Sequence, residues 1–276
     1  MENNELKKIV KEKYGEIAMQ SKEENEASCC GATGCCSGVD YTIFSESYTD
    51  LDGYNPTADL GLGCGIPTEF ALIKKGDTVV DLGSGAGNDC FVARALVGET
   101  GKVIGVDFTE NMITKARTNA EKLGFNNVEF RFGDIEKMPL TATKADVVIS
   151  NCVLNLVPDK KKAFDEIYRI LKMNGHFSIS DVVLEGKLPA KLEQAAEMYA
   201  GCVSGAVQKQ EYLDIITSCG FKNISVQKEK KITIPDEILL NYISAAELIA
   251  LKQKNIGIYS ITVYAEKSDC GCEGNC

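Results

Sequence analysis

Three cysteines stand where an α/β chain could use them. Cys64 lies just ahead of the first apolar run, Cys152 directly follows the run ADVVISN, and Cys202 sits in AGCVSGA beyond the alternating segments. A thiolate is at once a nucleophile, a redox group and a soft ligand. Three of them placed around one unit suit a soft, thiophilic substrate atom. No second residue type offers comparable chemistry: the single histidine, His176, lies in the strand-like run HFSISDVV, so neither a set of histidine ligands nor a Ser-His-Asp relay is available.

A second constellation is VVDLGSGAGNDC, with glycines at 83, 85 and 87 between a strand pattern and a helix pattern. Glycine permits a tight turn and close approach of a ligand to the backbone, and Asn88 or Asp89 can cap the helix that follows. A dinucleotide site would show G-x-G-x-x-G. Here the third glycine comes one residue early and Asp81 sits just ahead of the turn, which disfavours NAD. Asp107 ends the next strand, where a carboxylate can accept both hydroxyls of a ribose. Asp134 follows the third strand in FGDIE, where an acid can meet an adenine amino group.

The elements that must position these groups follow from periodicity. From Thr78 onward, TVVDL, KVIGVD, VEFRF, ADVVISN and HFSISDVV read as strands. Between them DCFVARALV, ENMITKARTNAEKLG and KKKAFDEIYRILK read as helices. That alternation predicts right-handed βαβ units and a parallel sheet with helices on both faces. Helices near 189–203 and 208–220, the strand NISVQKEKKITI, a helix from Asp236 to about Lys254 and the strand IYSITVYAE follow, the last strands closing the sheet antiparallel. Ahead of the unit, residues 1–60 read as an extension: a charged amphipathic helix to about Ala27, the loop CCGATGCC and a polar, Tyr-bearing stretch. The expected division is 1–60, a nucleotide-binding domain over 61–185, helices and closing strands over 186–267, and a mobile tail SDCGCEGNC over 268–276.

Composition sets the compartment and excludes partners. The chain has 276 residues, 12 cysteines and a formal net charge of −10. That charge opposes a phosphate polyanion, so nucleic acid is not an expected partner. No apolar run follows a basic start, and none approaches the roughly 20 residues that span a bilayer. The expectation is a monomeric cytoplasmic protein with its thiols reduced and no membrane association. Cys90 and Cys219, between apolar neighbours on helices, read as small buried hydrophobes. The lysine runs KKK and KEKK read as solvated faces.

The GSGAG turn with its acidic strand ends resembles S-adenosylmethionine-dependent methyltransferases of the Rossmann-like class over about Thr78 to Val183. A closer resemblance is carried by LGLGCGIP, SNCVLNLVPDKK and AGCVSGA, which look like the three cysteine motifs of arsenite methyltransferases. Tyr14 and Gly15, followed by Cys29, and DLGSGAGNDC agree with that family, and the match runs from Tyr14 to about Lys267. The resemblance implies a Rossmann-like methyltransferase fold with helical additions, in a short form without the C-terminal domain of longer members. It implies arsenic(III) held by Cys64, Cys152 and Cys202, with Cys29 as a fourth thiol that binds, hands over the metalloid or forms a disulfide. Cys30, Cys35 and Cys36 are rivals for that role, and a role for Cys270, Cys272 and Cys276 is left open. The implied cofactor set is Asp81, Gly83, Ser84, Gly85, Gly87, Asp107, Phe108, Met112, Asp134, Ile135 and Asn151. The implied partners are S-adenosylmethionine, arsenite or its thiol conjugates, and a thiol reductant of the glutathione or thioredoxin type. Asp134 departs from the pattern, since close relatives often carry an aromatic residue there. Two rivals remain: a methyltransferase for carbon or oxygen of a small acceptor such as a quinone, and a non-catalytic thiol protein binding zinc or a soft metal.

Overall fold

Val79, Val103 and Val147 face one side of a sheet while Val80, Ile104 and Val148 face the other, and all six are fully buried. Strands apolar on both faces can only be central strands of a layered α/β sheet. The computed structural model bears this out. It describes residues 3–20, 46–186, 205–232, 236, 240, 243–253 and 257–268. The helix α1 (Asn3–Ile17) and the short α2 (Pro67–Phe70) precede β1 (Thr78–Leu82). Then come α3 (Asn88–Val97), β2 (Lys102–Asp107), α4 (Glu110–Leu123), β3 (Val128–Phe132) and β4 (Ala145–Asn151). The chain continues with α5 (Lys160–Ile170), β5 (Leu171–Glu185), α6 (Lys209–Ser218), β6 (Lys222–Ile232), α7 (Ala245–Gln253) and β7 (Gly257–Glu266).

The seven strands are ordered β3-β2-β1-β4-β5-β7-β6. Neighbours from β3 to β5 pair parallel, and β7 is inserted antiparallel between β5 and β6. The order reverses between β1 and β4, so the crevice at the carboxyl ends of these strands is the natural ligand site. Helices cover both faces. On one, Phe164 of α5 lies 5.7 Å from Phe177, 5.6 Å from Tyr212 and 6.5 Å from Phe221, ring centre to ring centre. On the other, Phe91, Met112, Ile113 and Ala116 from α3 and α4 pack on Val79, Val103 and Val147, and Ile17 at the end of α1 joins them.

Several boundaries differ from the sequence expectation for local reasons. The β5 strand begins at Leu171, because Leu171 pairs with Ala145 across a register shift before the strand reaches His176. His176 is a strand residue, as expected, with Nε2 2.6 Å from Ala71 O. Asp236 is helical, as expected, with Leu240 N donating to its carbonyl at 2.9 Å, while α7 has its own start at Ala245, set by a capping box in which Ser244 and Glu247 bond each other's backbone N–H. The α3 helix is capped by Gly87 and not by Asn88 or Asp89, because the Asp89 carboxylate is turned to Tyr48 and Asn151. Cys219 is half-exposed rather than buried. The first helix ends at Ile17, where the Met19 and Gln20 N–H groups bond back three residues in a turn, rather than running to about Ala27. The expected helix near 189–203 and the tail from Asp269 lie outside the described residues. Among the described residues, no helix is long and apolar enough to cross a membrane.

Candidate functional site

One cavity runs along the carboxyl ends of β4, β1, β2 and β3. Its centre is the glycine turn. Gly83, Gly85 and Gly87 all have positive φ, at 64°, 50° and 102°. A Cβ on Gly83 would lie 2.3 Å from a methyl of Val153, whereas one on Gly85 would meet only the Met112 sulfur, at 4.0 Å. The turn therefore leaves an open cradle at Gly85. Gly83, Ser84 and Gly85 line the cavity, while Gly87 is packed behind it against Phe91 and Phe130.

Asp107 is held from both sides: Gly85 N donates to Oδ2 at 3.0 Å and Thr109 N to Oδ1 at 2.8 Å. Burial raises its carboxyl above the ordinary value, and these backbone donors pull it back. Each oxygen accepts one backbone bond and keeps a lone pair for a ligand hydroxyl. Phe108, Met112 and Ile135 supply apolar wall beside it, and Asp134 closes the β3 end. Asp81 does not line the cavity. It is buried beneath the turn, where Cys90 Sγ donates to its Oδ2 at 3.2 Å, and desolvation pushes its carboxyl well up. Cys90 is thus buried as expected, but as the partner of an acid.

At the β4 end, Asn151 and Cys152 line the cavity. Cys152 has φ of 60°, a left-handed conformation unusual for a residue with a Cβ, and its N–H is spent on Ser180 O at 2.8 Å. Such strain collects at functional positions. Asn151 Oδ1 accepts the Cys64 N–H at 2.9 Å, and its Nδ2 donates to Gly65 O at 2.8 Å and Tyr48 Oη at 2.8 Å, with Asp89 Oδ2 at 3.2 Å. Cys64 is fully buried and is not on the cavity wall, and its carbonyl accepts from Ser260 Oγ of β7. The structure thus ties two of the three singled-out cysteines to one asparagine. Cys202 lies outside the described residues, as do Cys29, Cys30, Cys35, Cys36, Cys270, Cys272 and Cys276.

Three groups on this wall escaped the sequence reading. Tyr48 places its hydroxyl 2.8 Å from Asp89 Oδ1 and 2.9 Å from Gly65 O. Asp89, pushed up to about 6 by desolvation and held back by Tyr48 and Asn151, adds a buried carboxylate to the wall. Lys7 of α1 lines the opposite end and bonds Asp134 at 2.6 Å. The Tyr-bearing segment was the only hint for the first, Asp89 read only as a candidate helix cap, and nothing local marked Lys7.

The cavity is lined by carboxylates and by polar atoms that lack partners. Asp59, Asp89, Asp107 and Asp134 all line it. Ser84 Oγ, Asn88 Oδ1 and Thr109 Oγ1 are buried on its wall without a hydrogen-bond partner. Buried polar groups are rarely left so unless a ligand or water completes them.

Comparisons with known proteins identify that ligand's class. A methyltransferase-domain family model matches residues 73–220. The arsenite methyltransferase of Halobacterium salinarum is 40% identical over 241 residues, covering 83% of this chain and 60% of that protein. That of Aquipseudomonas alcaligenes is 33% identical over 233 residues, covering 82% and 65%. The crystal structure of CrArsM, an arsenic(III) S-adenosylmethionine methyltransferase from Chlamydomonas reinhardtii, superposes with a TM-score of 0.65 at 33% identity, covering 75% of this chain and 68% of that one. The chain belongs to the arsenite methyltransferase family. It spans less than two thirds of the length of the two curated relatives. Membership in this family accounts for the acidic cavity, since the family's methyl donor is a sulfonium cation. The orphaned hydroxyls, the open cradle at Gly85 and the free lone pairs of Asp107 fit S-adenosylmethionine.

Proposed function

We propose that the protein transfers methyl groups from S-adenosylmethionine to thiol-bound arsenic(III), giving methylated arsenicals and so detoxifying arsenic, and that it acts as a cytoplasmic monomer. The observation that carries this reading is Cys152 on the wall of the donor cavity, next to the Asn151 that also holds the Cys64 backbone.

When bound, S-adenosylmethionine supplies an electrophilic methyl group on a sulfonium sulfur. The chain's part is to hold and to orient. Gly83, Ser84 and Gly85 cradle the donor, Asp107 takes its ribose, Phe108, Met112 and Ile135 pack on it, and Asp134 meets its base. Asp81 and Gly87 support the turn from behind. Cys64, Cys152 and Cys202 displace three hydroxides of arsenite as water, each thiol proton leaving with one hydroxide, which leaves pyramidal arsenic with its lone pair outward. That nucleophile has no proton to lose, so no general base is required. Orientation of the lone pair toward the methyl group is then the main source of rate, a term worth roughly 7–11 kcal/mol in favourable cases. Methyl transfer raises arsenic by two oxidation units, and a thiol reductant of the glutathione or thioredoxin type returns it to the trivalent state. Cys29 delivers the metalloid or joins that redox step.

The test is to incubate the purified protein with arsenite, glutathione and labelled S-adenosylmethionine and to measure methylated arsenic. The expected result is methylation that is lost in Cys152→Ser, Cys202→Ser and Cys64→Ser. Full activity in Cys152→Ser and Cys202→Ser refutes the three-thiol site. Methylation of a quinone instead, or copurified zinc without any arsenic product, would transfer the case to the rival readings.

A further inference from the structure

The β3 end of the cavity has a wall that neither the glycine turn nor the strand ends supply. Lys7, Val10, Tyr14 and Ile17 are spaced three, four and three apart, so they share one face of α1. Val10 and Ile17 are buried, while Lys7 and Tyr14 line the cavity. The helix is fastened there by Asn111 Nδ2 to Gly15 O at 3.2 Å and by Lys115 Nζ to Ala18 O at 3.0 Å. Lys7 Nζ bonds Asp134 Oδ2 at 2.6 Å and also reaches Glu136, whose other oxygen accepts the Asp159 N–H. Burial alone would lower its ammonium, but the bonds to the two carboxylates outweigh that and raise it, so Lys7 stays charged.

The strand order fixes what this pair can face. From one end of the cavity to the other the groups run Cys152 at β4, the glycine turn at β1, Asp107 at β2 and Asp134 at β3. A donor with its methyl near Cys152 and its ribose on Asp107 has its base at Asp134 and Lys7. Adenine shows an amino donor beside a ring-nitrogen acceptor. Lys7 has three N–H donors and spends two on Asp134 and Glu136. Asp134 Oδ1 accepts the Glu136 N–H and Oδ2 accepts Lys7, so each oxygen keeps a lone pair. What is left over is one donor beside one acceptor.

We propose that Lys7 and Asp134 together read the purine edge of the methyl donor, which makes Lys7 a specificity-determining residue contributed by the N-terminal helix, outside residues 73–220 of the methyltransferase domain. A hypoxanthine base replaces the amino group by a carbonyl and the ring acceptor by N–H, setting acceptor against acceptor and donor against donor. Mismatches of that kind are what discriminate strongly at polar sites.

The test measures binding of S-adenosylhomocysteine and S-inosylhomocysteine by calorimetry, without turnover and without arsenic. Wild type is expected to prefer the adenosyl compound, and Lys7→Met to lose at least about tenfold in affinity for it, the cost of one charge-assisted hydrogen bond. The inosyl compound should lose much less, so the preference narrows. Asp134→Asn, whose amide can offer N–H, should narrow it further, and Lys7→Arg should keep it. Lys11→Ala, on the same helix as Lys7 but away from the cavity, breaks an ion pair with Glu110 of α4 and should leave the preference unchanged. A wild type that binds S-adenosylhomocysteine, with Lys7→Met either unaltered or weakened equally for both compounds, overturns the proposal and leaves the donor site standing. No binding by wild type removes the donor site itself.

Discussion

Asp107 is fixed by donors two and 22 residues away, whereas Asn151 is fixed by partners 62 to 103 residues away at Asp89, Gly65, Cys64 and Tyr48. The glycine turn and the Asp107 carboxylate are thus set by nearby backbone geometry, and the thiol end, like the Lys7–Asp134 pair, by side chains that the fold must first bring together. The first kind tolerates change nowhere near the turn itself. The second fails by losing its network while the fold survives.

The largest effect should come where the two ends touch, at Gly83. Alanine there must adopt φ near 64° and push its Cβ into Val153, the neighbour of Cys152. Left-handed strain and overpacking together should cost about 2–4 kcal/mol in urea unfolding and weaken S-adenosylhomocysteine at least tenfold. Gly85→Ala carries the φ cost without the clash, at about 1–2 kcal/mol, since its Cβ points into the cradle. Equal stability losses for the two variants would mean that the turn is not braced on the thiol side.

A smaller and more selective loss is expected at Tyr48→Phe. The substitution keeps the ring and removes the hydroxyl shared by Asp89, Gly65 and Asn151. Leaving those groups short of a partner should cost about 1–3 kcal/mol of stability. Arsenite affinity, read by equilibrium dialysis, should fall about tenfold, while S-adenosylhomocysteine changes less, a ratio that a purely short-range thiol end would not give.

That contrast also explains what could be read from the chain. The strands and the glycine turn were legible because periodicity and a left-handed backbone requirement are local properties, and the inserted β7 followed from two strand patterns near the end. Asp107 and Asp134 were legible as strand-end acids, whereas Asn151 came only with the family resemblance. Asp81 was misplaced on the cavity wall because its position in sequence does not say that Cys90 will take its carboxylate. Tyr48 and Lys7 were invisible, and Asp89 read only as a helix cap, for the same reason: each acquires its role from a partner at least 41 residues away. Family motifs found the cysteines where periodicity could not, yet the motif around Cys64 gave no sign that its backbone hangs from Asn151.

The last effect is one of pH, and it separates buried charge from hydrogen bonding at Asp89. Its carboxyl rises from 3.8 to about 6 on folding, through desolvation first and the nearby Asp59 last, against the bonds from Tyr48 and Asn151. Between those values the folded protein holds a proton that the unfolded chain has lost. Stability from this group is therefore full below about pH 3.8, falls as pH rises to about 6 and is constant above, a change on the order of 3 kcal/mol. Asp89→Asn cannot ionise, so the difference between wild-type and variant unfolding free energies should slope between pH 4 and 6, and above that it keeps a contribution from Asp81, whose carboxyl is raised in part by the Asp89 charge that the variant removes. Asp181, pushed up to about 7 by burial, titrates in both proteins and cancels in that difference. Saturating S-adenosylmethionine, whose positive charge favours the ionised form, should shrink the slope in wild type alone. A difference that stays flat with and without the donor would mean that water reaches Asp89 and that folding does not desolvate its carboxyl.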